Sequence, residues 1–279
     1  MKKLFGLSAG LSLVFTGFVL TAPAASAQDQ PGMAAPPKVL EIIVESLKPG
    51  QGGSPHMKTE SAFVHAFKSA GESTHYIGMD SLTGPSRAVF FVPYGSFEAW
   101  QKDLDATAKN PTLSAALDSA TIADGALLSG YETSAYTLRD DLSLRAPVPM
   151  DHFHYVEITL FTVRPGHGKD WNDLVKMYIA AYQKIPTAHW ATFEKRYGTD
   201  SGSRYIAVTP MKSMAEADQE MLDDNALASA VSSEDRQKMR ELTAAAIESI
   251  SSSIYAVNPK MSYPFDAWVK ADSTFWTPQ

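Results

Sequence analysis

The chain has 279 residues, 44% of them hydrophobic and 20% charged, with no cysteine and a formal net charge of −7. The missing cysteine excludes a disulfide scaffold and thiol chemistry, and aromatics at 10%, spread along the chain, exclude wholesale disorder. An acidic chain without Lys/Arg clusters lacks what nucleic acid or an anionic membrane surface needs. A small molecule or another protein is the expected partner.

The first segment reads as an address. Lys2 and Lys3 open the chain, an apolar run follows from Leu4 to Leu20, and Ala25-Ser26-Ala27 stands before Gln28. That is the layout of a secretory signal peptide with an A-x-A cleavage site. Residues 1–27 are expected to be removed and 28–37 to form a linker, leaving a periplasmic or extracellular protein without a membrane anchor. No other apolar stretch approaches the length that spans a bilayer.

Self-comparison then organises the rest. Val39-Leu-Glu-Ile-Ile-Val-Glu-Ser-Leu-Lys-Pro-Gly50 aligns with Tyr155-Val-Glu-Ile-Thr-Leu-Phe-Thr-Val-Arg-Pro-Gly166 at an offset of 116. Ser86-Arg87, Pro93 and Ser96 meet Ser203-Arg204, Pro210 and Ser213 at 117, and Ser134-x-Tyr136 and Ser143 meet Ser253-x-Tyr255 and Ser262 at 119. Ordered matches with slowly drifting offsets indicate a duplicated unit. The expected units are 38–145 and 153–265, joined by a linker at 146–152 and followed by an aromatic tail at 266–279.

Within each unit the elements follow one order. Strands are predicted at 39–47 and 154–163, each closed by Pro-Gly. Helices follow at 57–70 and after Trp171, where Leu174, Val175, Tyr178 and Tyr182 recur at helical spacing. Hairpins are expected at 75–79 with 87–92 and at 189–197 with 204–209. Ser96 and Ser213 stand as helix N-caps, Ser213 with Glu216 at capping-box spacing. Helices at 97–108, 112–128, 213–223 and 233–250 lead to last strands at 131–138 and 252–257. The order β-α-β-β-α-β, twice, is the ferredoxin-like motif. The fold class is therefore α+β, with tandem ferredoxin-like repeats.

The pattern Tyr155-Val-Glu-Ile…Val163-Arg-Pro-Gly166, followed by an aromatic-rich helix, resembles the opening of NIPSNAP-type and antibiotic-biosynthesis-monooxygenase-type dimeric α+β barrels. The resemblance covers nearly all of 38–265 as two copies. It implies a single-chain pseudo-dimer whose two sheets form a barrel. Members of that superfamily include cofactor-free oxygenases, haem enzymes, isomerases and ligand-sensing modules.

Glu41 and Glu157 are the leading chemical candidates. Strand alternation puts Leu40, Ile42 and Val44 on one face and Glu41, Ile43 and Glu45 on the other, with Tyr155, Glu157, Thr159 and Phe161 matching the second set. The uniformly apolar face is expected under the helices and the mixed face between the sheets. A ligand space walled by Glu41, Ile43, Tyr155, Thr159, Phe161 and His75 follows, with Glu157 as the base and His189 beside it if the site is catalytic. Duplication favours a plainer reading, a structural ion pair kept in both copies. Arg87 and Arg204 share a face with Val89 and Phe91 and with Ile206 and Val208, which reads as the helix-covered side.

His152-Phe-His154 has a spacing metals use, but nothing completes a recognised pattern, and no metal site is predicted. No cofactor is predicted either. The resemblance leaves haem open, with His189 or His167 as axial candidates. Three functions remain: a secreted barrel binding a small apolar or aromatic ligand, a cofactor-independent monooxygenase or isomerase, and an assembly module forming a homo-oligomer.

Overall fold

The computed structural model describes residues 36–146, 152–200 and 202–277. The expected signal peptide and most of the linker between the units lie outside the described residues. The first half runs β1 (Val39–Leu47), α1 (Ser54–Ala70), β2 (Ile77–Ser81), β3 (Arg87–Tyr94), α2 (Phe97–Ala108), α3 (Pro111–Gly125) and β4 (Leu128–Leu138). The second runs β5 (Tyr155–Val163), α4 (Gly168–Tyr182), β6 (Ala191–Gly198), β7 (Ser203–Met211), α5 (Ala215–Ala230), α6 (Ser233–Ala246) and β8 (Ile247–Val257). Two short helices, α7 (Asp266–Ala271) and α8 (Ser273–Trp276), end the described chain.

All strand pairs are antiparallel, and they close into a barrel in the order β1-β3-β2-β8-β5-β7-β6-β4. Each half contributes four neighbours in the same internal order, β4-β1-β3-β2 and β8-β5-β7-β6. The two seams, β2 with β8 and β4 with β6, join one half to the other. This is the α+β barrel in single-chain form, with no sheet edge left open.

Local chemistry explains the turns. Gly50 and Gly166 both take positive φ, 78° and 84°, so the two Pro-Gly turns are conformational twins. Ser96 caps α2 by accepting the N–H of Ala99 at 3.0 Å. Ser213 does not cap α5. Met214 holds that position, and Glu216 Oε1 accepts the N–H of Lys212 instead, at 3.0 Å. The early strand of the first hairpin begins at Ile77, two residues later than expected, and β4 and β8 begin three and five residues earlier.

The barrel interior corrects one expectation. Leu40, Ile42, Val44, Val89, Phe91, Val156, Ile158, Leu160, Ile206 and Val208 form the central cluster inside the barrel, not the layer under the helices. Their mixed partners, with Glu41, Glu45, Glu157, Thr159 and Phe161, face outward to the helices. The reason is space and solvation. An eight-stranded barrel is filled by side chains alone, and a carboxylate there would be buried without a partner. The helix layers supply polar partners instead, as Thr159 does for Glu157 and His56 for Glu45. Arg87 and Arg204 follow the same parity inward, at strand ends. Arg204 is held by Asp200 at 2.8 Å.

Two outer layers complete the packing. Under the first half's helices lie Val39, Ile43, Phe90, Tyr94, Phe67 and Trp100, and under the second's lie Val163, Trp171, Leu174, Tyr205, Met239 and Leu242. The tail packs Trp268 and Trp276 onto the central cluster beside Phe153.

Candidate functional site

The second half leaves a cavity of about 470 Å³ between its sheet and its helices. That size is within the range of small-molecule sites, roughly 300–1,000 Å³. The sheet supplies Glu157, Thr159, Phe161, Ala207 and Thr209, α4 supplies Trp171, Tyr178 and Tyr182, and α5 supplies Glu216, Gln219 and Glu220. His189, Trp190 and Thr192 close the side at the start of β6.

The chemical centre is a carboxyl pair. Glu220 and Glu157 both line the cavity, and the Glu220 carboxyl is pushed up to about 8, first by burial and then by Glu157 and the neighbouring Asp224 and Asp223. Glu220 therefore keeps its proton at neutral pH. Glu157 is fixed from its other side. Thr159 donates to its Oε1 at 3.1 Å, and Ser252 lies 2.7 Å from the Thr159 hydroxyl, completing a relay of donors. The site therefore offers a ligand the Glu220 hydroxyl as donor and the Glu157 carboxyl oxygens as acceptors against aromatic walls.

The remaining acids are tied down. Asp223 accepts from Thr187 at 2.6 Å and from Gln219 at 2.7 Å, and Asp224 accepts from Tyr182. His189 Nδ1 lies 2.9 Å from the Thr187 carbonyl oxygen and Nε2 lies 2.9 Å from that of Pro210. Its ring lines the cavity, while its nitrogens face main-chain acceptors.

The first half holds a related pair. Glu41 is pushed up to about 7 by burial and then by Asp103. Asp103 accepts from Tyr94 at 3.1 Å and from Thr74. The 117 offset that joins Ser96 to Ser213 also carries Asp103 to Glu220, so the carboxyl pair is duplicated. Its surroundings are not. In the first half Trp100 stacks on Tyr94 at 5.4 Å beside Ile43 and Phe67.

Of the residues singled out from sequence, Glu157, Thr159, Phe161 and His189 meet in this cavity. Glu41 and Ile43 lie in the first half's helix layer. Tyr155 is half-buried at the start of β5, outside the cavity lining. His75 stacks on Tyr263 at 4.7 Å and against Phe265 at 4.5 Å, and burial holds its imidazole below the usual range. His154 Nε2 donates to Asp272 Oδ2 at 2.8 Å, with His152 Nδ1 at 3.6 Å from the same carboxylate. Sequence reasoning missed Glu220, although extending the repeat offset along α2 and α5 points to it.

Haem does not fit these residues. Its propionates call for cations, and the cavity lining contains five acidic side chains, Glu157, Glu216, Glu220, Asp223 and Asp224, and no lysine or arginine. His189 is engaged with carbonyl oxygens, and His167 Nδ1 is 2.8 Å from Asp170.

No protein-family model matches the sequence, nor does any curated protein. Solved structures match in fold. A monooxygenase candidate from Fusobacterium nucleatum is 12% identical, covering 80% of this chain and 93% of its own, with a TM-score of 0.52. An anthrone oxidase-like protein is 13% identical over 83% of this chain and 93% of its own, with a TM-score of 0.50. At such identities the likeness shows the dimeric α+β barrel fold alone.

Proposed function

We propose that the second-half cavity binds a small, largely apolar aromatic molecule carrying a phenolic or enolic hydroxyl. The observation that carries this reading is the Glu157–Glu220 pair, with Glu220 protonated, lining one cavity with Phe161, Trp171, Tyr178 and Trp190. The aromatic walls take the ring system, Glu157 accepts the ligand's hydroxyl proton, and Glu220 donates to its oxygen. The residue pattern of β5 and its Pro-Gly turn supports a place near the antibiotic-biosynthesis-monooxygenase and NIPSNAP branches of the fold. The basic, apolar and A-x-A segments of residues 1–27 support export to the periplasm or beyond.

A second reading extends the first to chemistry. Glu157 removes a proton from an enolisable ring carbon, and the resulting carbanion gives its electrons to dioxygen. The hydroperoxide so formed loses water to leave a ketone. This needs a base in an apolar enclosure and no cofactor, and the cavity has both parts. The fold neighbours named for monooxygenase and anthrone oxidase-like activity favour it over isomerisation.

The test uses naphthol as a probe of binding and anthrone as a probe of turnover. Naphthol should quench the fluorescence of Trp171 and Trp190, and Glu157→Gln should weaken that binding at least tenfold. Anthrone should consume dioxygen in wild type and not in Glu157→Gln. Naphthol binding unchanged in both Glu157→Gln and Glu220→Gln, with no dioxygen uptake by wild type, would leave the glutamates as structural groups.

A further inference from the structure

The helix layers of the two halves differ at one place in a way the fold does not require. In the second half, Phe161 on β5 lies against Trp171 on α4, ring centroids 4.9 Å apart, with buried Val175 one turn on. The strand offset of 116 carries Phe161 back to Glu45. A helix offset of 115 carries Trp171 to His56, Val175 to Glu60 and buried Ala181 to buried Ala66. Three apolar core positions of one copy are thus ionisable in the other, and Asp124 from the last turn of α3 joins them. All four are buried, with exposures of 6%, 0%, 3% and 2% for Glu45, His56, Glu60 and Asp124.

Their donor atoms converge. His56 Nε2 lies 2.9 Å from Glu45 Oε2, 3.5 Å from Asp124 Oδ1 and 3.8 Å from Glu60 Oε1. Donors about 2.1 Å from a shared ion in a tetrahedron sit roughly 3.4 Å apart, so these spacings suit a common centre. Glu60 Oε1 is buried without a hydrogen-bond partner and faces that centre. The other ring nitrogen, His56 Nδ1, is also buried without a partner, and a bound cation would take the place of the Nε2 proton that Glu45 Oε2 accepts at 2.9 Å. Thr59 Oγ1 is 2.6 Å from Asp124 Oδ1 and 2.8 Å from the His56 carbonyl oxygen, so it orients the aspartate.

We propose that Glu45, His56, Glu60 and Asp124 bind one divalent first-row transition cation, of the manganese, iron or zinc class. An imidazole with carboxylates suits those metals, whereas calcium and magnesium take oxygen donors alone. Charge points the same way. Among the described residues no lysine or arginine pairs with any of the four, so a dication is the natural counter-charge for the carboxylates. A core that already works with Phe161, Trp171 and Val175 has no packing reason to bury two glutamates and a histidine in its twin.

The experiment is a metal titration of the full chain after chelator treatment, with manganese(II) and zinc(II) as separate probes, read by calorimetry and thermal unfolding. The expected result is one equivalent per chain and a rise in melting temperature. Glu60→Gln should weaken binding at least tenfold, and Thr59→Val, which removes no ligand, roughly ten- to a hundredfold. The triple variant Glu45→Phe, His56→Trp, Glu60→Val copies the second half, and it should fold metal-free and bind no equivalent. Wild type that takes up neither metal at millimolar concentration overturns the proposal, whatever the variants do. So does a folded triple variant that keeps the equivalent. Naphthol binding in the other half should be untouched, which separates this site from the cavity.

Discussion

The main-chain N–H of Gly78 donates to Ser262 Oγ at 2.9 Å, across the seam where β2 of the first half meets the segment after β8. The other seam repeats it, with Thr192 N–H donating to Ser143 Oγ at 2.9 Å. Bridges between Tyr76 and Tyr263 and between Trp190 and Leu144 sit beside these bonds. Each half therefore fastens the other through the residues that follow its last strand. The pseudo-twofold holds down to single hydrogen bonds.

Gly78 marks where this seam is tightest. A Cβ there would lie 2.5 Å from the Met261 carbonyl oxygen and 2.9 Å from Phe90 Cε1. Main chain cannot swing aside as a side chain can. Gly78→Ala should cost about 1–3 kcal/mol, the usual range for overpacking, measured by urea unfolding. The twin position already carries a side chain, Thr192, whose hydroxyl donates to the Leu142 carbonyl at 2.6 Å. Thr192→Ala should cost only about 1 kcal/mol, the value of one hydrogen bond.

The raised carboxyls make stability fall as pH rises. Glu41 at about 7 and Glu220 at about 8 both sit above their ordinary 4.5, so the folded chain holds these protons more tightly than the unfolded one. Their contribution is complete below pH 4.5. It declines as the unfolded chain releases protons the folded chain keeps, and is gone once pH passes 8. Glu41→Gln and Glu220→Gln should each flatten that decline and be the more stable protein at about pH 9. Unfolding curves at about pH 5 and about pH 9 give the comparison. Parallel curves for wild type and both variants would mean that the two carboxyls titrate normally.

Cavity size should control binding without control of folding. Ala207 stands on the floor of the cavity, opposite Thr159 in the β5–β7 register. Ala207→Leu puts apolar atoms into space that is already open, so it should change stability by less than about 1 kcal/mol. Naphthol affinity should drop tenfold or more. Retained affinity would place the probe elsewhere.

Most of the architecture was legible in the sequence because the fold is written twice. Pro49-Gly50 and Pro165-Gly166, and the seam serines Ser143 and Ser262, fix equivalent points, and their offsets order the strands. The facing of each strand was not legible. Alternation in β1 separates Leu40, Ile42 and Val44 from Glu41 and Glu45, but a single strand does not say which side is a closed barrel and which a helix layer. The four-residue cluster was hidden for another reason. Its members come from β1, α1 and α3, and the helix expected from residue 57 begins at Ser54, which brings His56 onto the same face as Glu60. The start is set by Gly53 in a positive-φ turn with Pro55 behind it, a signal weaker than a serine or aspartate cap.

Arg145 closes the end of α4 in place of a glycine. Its Nη1 donates to the carbonyl oxygens of Ile185 at 2.8 Å and Ala188 at 2.7 Å, and its Nη2 to that of Gln183 at 2.8 Å. These are carbonyls at and beyond a helix C-terminus, where a cation is also favoured by the helix dipole. Arg145→Lys keeps the charge but not the planar fork. Arg145→Ala should cost about 1–3 kcal/mol and Arg145→Lys about half as much, with the difference reporting the fork. Equal losses would reduce the role to charge.

The tail should behave as part of the core although it follows the last strand. Trp268 is 6% exposed and packs edge-on against Phe153 at 5.5 Å, with Trp276 behind it at 6.3 Å. Removing that indole leaves a hole against the central cluster, so Trp268→Ala should cost about 3–5 kcal/mol. Phe275 is only partly buried and stacks on His154 at 4.0 Å, near the Asp272 carboxylate. Phe275→Ala should cost less, since water can fill part of the gap. Leu104 on α2 is 59% exposed, and Leu104→Ala should stay within about 0.5 kcal/mol of wild type. A Trp268 loss no larger than that of Leu104 would mean that α7 and α8 rest on the barrel without contributing to its core.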